Sequence, residues 1–235
     1  MLSIRDGTLR FGARVLLDSI SFDVQSGELC VLMGPSGLGK TTLLRAIVDL
    51  HDQSKVLLTG LDRESFSGVE LKKGYIAQDE KLVPWLTVQK NIMLPFLLCP
   101  RTRPVVGNNE REDLFHLLEI SHLFDHAAST VSGGEAQRIL LARTILSSDK
   151  VLILDEPWSH LDAPLRRRML EALKVWLRRN SFTALVVAHE PEDAVRFCTK
   201  ALVVNPAGTF VQEITEVLER AAFRVKLIKA LCHSL

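Results

Sequence analysis

Gly34-Pro35-Ser36-Gly37-Leu38-Gly39-Lys40-Thr41 fits the pattern G-x-x-x-x-G-K-[ST] at every position, and the fold follows from its surroundings. Just upstream, Leu29-Cys30-Val31-Leu32-Met33 is an unbroken apolar run ending at glycine, as expected of a strand buried on both faces. Just downstream, Leu43, Leu44, Ile47 and Leu50 recur at helical spacing. A glycine-rich turn between strand and helix lets successive backbone N–H groups face a phosphate with no Cβ in the way. The helix behind it aims its positive end at the same anion. Lys40 then offers a mobile positive charge to the β/γ-phosphates, and the Thr41 hydroxyl is placed to ligate Mg²⁺. A turn that merely joined strand to helix would need neither. Residues Gly34 to Thr42 are therefore the candidate binding residues for a nucleoside triphosphate.

Further along, Val151-Leu152-Ile153-Leu154 ends in Asp155-Glu156-Pro157. A buried strand in an open α/β sheet delivers the residues at its C-terminal end to the ligand crevice. Asp155 is thus a candidate Mg²⁺ ligand, directly or through water, and Glu156 a candidate general base for an attacking water. Two adjacent acids are common in solvated loops; the phosphate loop gives this pair its meaning.

Strand-like runs also occur at Lys55–Thr59, Thr183–Ala188 and Ala201–Val204, and Ile20, Phe22 and Val24 alternate with polar residues near the N-terminus. Helical patterns separate the later strands, which predicts a mostly parallel α/β sheet. From Thr87 to Leu146 the pattern is helical, with segments near 87–98, 110–119 and 134–147, and Cys99–Asn109 reads as a solvated loop. The stretch 213–235 reads as an amphipathic helix bearing Arg220, Arg224, Lys226 and Lys229, packed on the core. The expectation is a single domain over 1–235, with a nucleotide-binding core from 1–78 and 147–212 and a helical subdomain at 79–146.

Composition narrows the partners. Lys and Arg number 29 against 28 Asp and Glu, a net charge of +1, so no global charge favours nucleic acid or an anionic membrane. The four cysteines are scattered without ligand spacing, which predicts mostly buried, reduced thiols in a cytosolic protein. The N-terminus lacks the charged and apolar regions of a signal peptide, and no apolar run approaches the roughly 20 residues that span a bilayer. Work at a membrane would require a membrane-spanning partner.

Between the phosphate loop and the acidic pair lies Val131-Ser132-Gly133-Gly134-Glu135-Ala136-Gln137-Arg138, a second anion-cradling turn at a helix start. This segment resembles the LSGGQ-type signature of ABC ATPases, and with the other two motifs the resemblance covers the chain to about residue 212. It implies a P-loop NTPase core with an N-terminal antiparallel β subdomain and an inserted helical subdomain. It also implies a head-to-tail homodimer in which Ser132, Gly133, Gly134 and Glu135 close on the ATP of the partner copy. Other positions follow by resemblance: Phe11 as the aromatic against adenine, Gln78 as a sensor of Mg²⁺ and attacking water, Asp162 in the D-loop Ser159–Asp162, and His189 as the switch histidine. Val131 and Glu135 depart from the usual leucine and glutamine, and His160 stands where a small residue is common.

The resemblance further implies an ATPase, with ATP and Mg²⁺ as cofactors, working on the cytoplasmic face of a membrane through permease subunits. The segment Leu82–Ile92 is similar to that of bacterial importers, in which a substrate-binding protein often takes part. An exporter or lipoprotein-release motor remains open, as does a soluble ABC ATPase of DNA repair or translation. The repair class would need a long coiled coil and the translation class a second nucleotide domain; neither pattern is present. The short tail after the last strand predicts no separate C-terminal regulatory domain.

Overall fold

Two sheets carry the strands. In this computed structural model the described residues are 2–50, 52, 55–62, 73–99, 103–205 and 211–215, the last five by backbone alone. Strands β1 (Leu2–Phe11), β2 (Arg14–Val24) and β4 (Val56–Leu58) form an antiparallel sheet in the order β2-β1-β4. Strands β3 (Leu29–Met33), β5 (Gly74–Ile76), β6 (Val151–Asp155), β7 (Thr183–Val187), β8 (Lys200–Val204) and β9 (Val211–Thr215) form the second, in the order β5-β6-β7-β3-β8-β9. All its pairings are parallel except β8 with β9. This is the mostly parallel sheet and separate antiparallel sheet that the sequence predicts.

Burial explains the difference between the sheets. All five residues of β3 are buried, as a central parallel strand requires, whereas β2 alternates buried and partly exposed residues. The alternation in β2 changes phase at Ser19, whose φ of 51° makes a bulge, so that Leu17 joins Ile20, Phe22 and Val24 in the core.

The helices are α1 (Lys40–Ile47), α2 (Val88–Leu98), α3 (Asn108–Leu117), α4 (Gly133–Ser147), α5 (Ala163–Arg179) and α6 (Pro191–Phe197). Helices α2 to α4 occupy the span expected to be helical. Thr87 and Ser132 cap α2 and α4 through bonds from the Lys90 and Glu135 amides, fixing both starts close to the predicted ones. Helix α3 begins at Asn108, within the stretch read as a loop, and Val105 and Val106 pack against the core. Helix α4 carries the core of this region, with Ile139, Leu141, Ala142, Ile145 and Leu146 fully or almost fully buried.

Two strands were not anticipated. Strand β5 has three residues, too few to show a period. Residues 213–215, expected to open a helix, belong instead to β9, which pairs antiparallel with β8 from Lys200↔Thr215 to Val204↔Val211. The open backbone edge of β8 is what this segment satisfies, and its Val, Ile and Thr suit a strand. The expected basic helix face from 216 onward lies outside the described residues. Of the cysteines, Cys30 and Cys198 are buried as expected, but Cys99 is exposed at the end of α2; Cys232 lies outside the described residues.

Candidate nucleotide site

The phosphate loop leaves β3 at the C-terminal edge of the parallel sheet, where open α/β folds gather ligands. Two glycines make its shape possible. Gly34 has φ 146° and packs so closely on β8 that a Cβ would stand 2.7 Å from the Val204 carbonyl oxygen. Gly39, at φ 87°, begins α1 in the left-handed conformation and offers that helix no side-chain cap, so the first amides of α1 are left for a ligand.

A cavity of about 480 Å³ opens over this helix start. It is lined by Ser36, Gly37, Gly39, Lys40, Thr41 and Thr42 from the loop and α1, by Phe11 from the β1–β2 hairpin, and by Gln78, Glu156 and His189 from three strand ends. Gly34, Pro35 and Leu38 complete the loop without lining the cavity. Phe11 is half exposed, leaving a ring face available to a flat apolar group.

Lys40 is almost wholly buried, and its Nζ donates to the carbonyls of Gly34 at 2.8 Å and Pro35 at 2.7 Å. Burial lowers the ammonium pKa; the carboxylates of Glu156 and Asp155 pull it back up. Asp155 ends β6 with 1% exposure, and no donor reaches either carboxylate oxygen with hydrogen-bond geometry. Burial raises its pKa, the nearby Thr41 hydroxyl lowers it, and the charge of Glu156 raises it again. A buried carboxylate without a donor, beside a hydroxyl, fits a hard divalent cation with oxygen ligands.

Glu156 sits at φ 50°, a left-handed conformation unusual for a residue with a Cβ. Its amide donates to the Val187 carbonyl at 3.2 Å, and His189 Nε2 lies 2.7 Å from its Oε1. Strand β6 pairs with β7 from Val151↔Thr183 to Asp155↔Val187, so the two strand ends meet and bring Glu156 and His189 together.

Ser132, Gly133, Gly134, Glu135 and Asp162 do not line this cavity. Asp162 caps α5, accepting from the Leu165 amide at 2.9 Å. Ser132 and Glu135 form a capping box at the start of α4: the Ser132 amide and hydroxyl both donate to Glu135 Oε2 at 2.7 Å, and the Glu135 amide donates to Ser132 Oγ at 3.3 Å. Those bonds from Ser132 lower the Glu135 pKa.

Sequence reasoning missed Arg14 and Leu16, which also line the cavity. The bulge at Ser19 hid them, because counting back by twos from Ile20 would bury Leu16 rather than Leu17. It also missed two ties from α4. Arg143 forms an ion pair with Glu80, in the turn that carries Gln78, and Gln137 reaches the turn after β6. No local signal marks either tie.

The arrangement matches a known family. A family model described as ABC transporter matches residues 17–159. The chain belongs to the ABC transporter family. This ABC chain is 37% identical over 213 residues to the sulfate/thiosulfate import ATP-binding protein CysA of Burkholderia mallei, covering 87% of this chain and 60% of that one. It is 36% identical over 181 residues to the molybdate/tungstate import ATP-binding protein WtpC of Pyrococcus abyssi, covering 76% of this chain and 52% of the relative. The ABC chain thus spans between half and two thirds of the length of these relatives. The solved dimeric structure of MJ0796, a bacterial ABC transporter cassette, shares its fold with a TM-score of 0.70 at 24% identity, over 92% of this chain and 98% of that one. A post-hydrolysis state of the same cassette bound to ADP and Pi is equally similar.

Proposed function

We propose that this ABC chain is the ATP-hydrolysing subunit of a membrane transporter. The observation that carries the reading is the Glu156–His189 pair at 2.7 Å, set across one cavity from the phosphate loop with Lys40 and Thr41. Phe11 takes the adenine, and Gly34 to Thr42 hold the phosphates. Thr41, Asp155 and Gln78 would hold Mg²⁺, which would supply positive charge against the phosphates. His189 fixes Glu156 Oε1, leaving Oε2 to accept a proton from the attacking water. As oxygen joins the γ-phosphorus, its bond to ADP breaks, and Lys40 moves from the Gly34 and Pro35 carbonyls to the released charge.

The signature residues Ser132, Gly133, Gly134 and Glu135, with Asp162, belong to a second composite contact. They meet the triphosphate of another copy in a head-to-tail homodimer. Their place outside the first cavity supports that reading. Residues 1–78 and 147–212 form the nucleotide-binding core, and 79–146 the helical subdomain. Similarity to import ATP-binding proteins favours import. In this reading the chain works on the cytoplasmic face through separate permease subunits, which a substrate-binding protein could feed. Among the described residues no helix is long and apolar enough to cross a membrane. No nucleic acid is expected as a partner.

The test is steady-state ATP hydrolysis by the purified chain and by Glu156→Gln. Turnover should fall by roughly 10²- to 10⁴-fold, the usual contribution of a general base, while ATP binding persists. A variant that turns over as fast as the parent would sink the assignment of Glu156.

A further inference from the structure

Helix α4 begins at the signature turn and is gripped five residues later by the catalytic turn of its own chain. Gln137 is buried, and all of its amide atoms are engaged. Its Nε2 donates to the Glu156 carbonyl at 3.1 Å and to Ser159 Oγ at 3.3 Å, and its Oε1 accepts from the His160 amide at 2.9 Å. The amide cannot be turned over, because a backbone carbonyl faces one end and a backbone N–H the other.

These bonds fall on the most strained point of the site. The Glu156 carbonyl also accepts from the Ser159 amide at 3.3 Å, closing a turn around buried Pro157 and Trp158. Gln137 pins this turn from the α4 side, next to a residue at φ 50° whose carboxylate must be aimed at water. The helix above is stiff: it runs for 15 residues, closes its capping box and buries nine of them. Along such a helix Ser132 and Gln137 are about 7.5 Å apart in rise, so displacement of one moves the other. Gly134 packs on the same turn, where a Cβ would meet the His160 carbonyl at 3.2 Å.

We propose that Gln137 is a positioning residue that couples the two ATP sites of the dimer. Resting on the function proposed above, the coupling runs as follows. Partner ATP draws on Ser132, α4 shifts as a body, and Gln137 carries the shift to the Glu156 carbonyl and the His160 amide. Each protomer's catalytic glutamate is thereby set by the nucleotide its signature has engaged. The link lies wholly within one chain and needs no contact between Gln137 and nucleotide.

The test compares Gln137→Leu and Gln137→Glu with the parent chain, and with Glu156→Gln as the control for trapping ATP-held dimers. Gln137→Leu removes all three bonds at similar volume. Its kcat should fall by roughly 10- to 100-fold, the effect of a displaced catalytic group, with ATP affinity of the isolated chain unchanged. Its Hill coefficient for ATP should drop toward unity. Gln137→Glu keeps the acceptor for His160 but turns a carboxylate on the Glu156 carbonyl. Its activity relative to the parent should therefore recover as pH falls and protonation restores a donor. Parental kcat and cooperativity in Gln137→Leu would overturn the proposal, as would a flat relative pH profile for Gln137→Glu. A parent chain that neither hydrolyses ATP nor associates with it would instead bring down the underlying reading, and this inference with it.

Discussion

Two helices in this chain begin at glycine-rich turns, and they rest in opposite states. Helix α1 starts at Gly39 with no side-chain cap and no acid in its first turn. Helix α4 starts at Ser132, whose amide and hydroxyl are both held by Glu135. A bare helix start keeps unsatisfied N–H groups and an uncompensated dipole, and so attracts a polyanion by itself. A capped start has spent part of its donors, here the Ser132 amide and hydroxyl and the Glu135 amide, and its own carboxylate already meets the dipole. The first cradle is therefore built to bind triphosphate in an isolated chain. The second gains less from a phosphate, because the Ser132 donors reach one only by displacing Glu135.

The comparison is broken most sharply at Lys40. Lys40→Ala removes the mobile charge of the first cradle, and ATP affinity of the isolated chain should fall by about 10- to 100-fold, as for a lost charge-assisted hydrogen bond. Equilibrium binding measures it, and unchanged affinity would mean that the bare helix start does not hold the phosphates. Ser132→Ala should act on the other side of the contrast. ATP binding by the isolated chain stays as it was, while ATP-driven association in a Glu156→Gln background weakens by about tenfold. Light scattering against protein concentration separates the two effects. Equal losses in binding and association would erase the distinction between the cradles.

A third variant probes the charge buried behind the first cradle. Burial raises the Asp155 pKa above its unfolded value, so between the two values the native chain holds a proton that the unfolded chain releases. Stability of the ligand-free chain should accordingly fall as pH rises from the unfolded pKa through the folded one. Asp155→Asn removes that slope. Above the window it should stabilise the chain by about 1–2 kcal/mol, raising Tm by roughly 2–8 °C, while abolishing any rise in Tm on adding MgATP. A fall in Tm would show that the carboxylate is satisfied in the ligand-free fold. The smallest effect belongs to Glu135→Gln. A neutral acceptor holds Ser132 less firmly and repels the partner's phosphate less, so ATP-driven association should tighten by about two- to fivefold, and more at low salt. Weaker association would assign Glu135 a direct attractive role instead.

The two turns were legible in different ways: the first by its own motif, the second by its place between the other two motifs and by resemblance. Both turns stand in short contiguous windows, Gly34–Thr41 and Ser132–Glu135, where glycines and hydroxyl side chains, with Lys40 in the first, suggest an anion site. That Glu135 folds back on Ser132 is a side-chain choice that the window permits without requiring. The amphipathic reading of the tail shows the same gap, since residues 213–215 follow the open edge of β8 and not their own helical periodicity.

The sequence by itself determined the strand–loop–helix of the phosphate loop, the acids at the end of β6 and the alternation of strands and helices between them, but not β5 or β9. Each of these is written in neighbouring residues, through sterics, charge and the spacing of apolar side chains. Tertiary structure alone decided that β6 and β7 end side by side and pair Glu156 with His189. It also decided that a bulge at Ser19 turns Leu16 toward the cavity, and that Gln137 clasps the turn after β6. Those contacts join residues far apart in the chain. Strand order, register and the packing of one helix against a distant turn set them, and no single stretch of sequence holds that information.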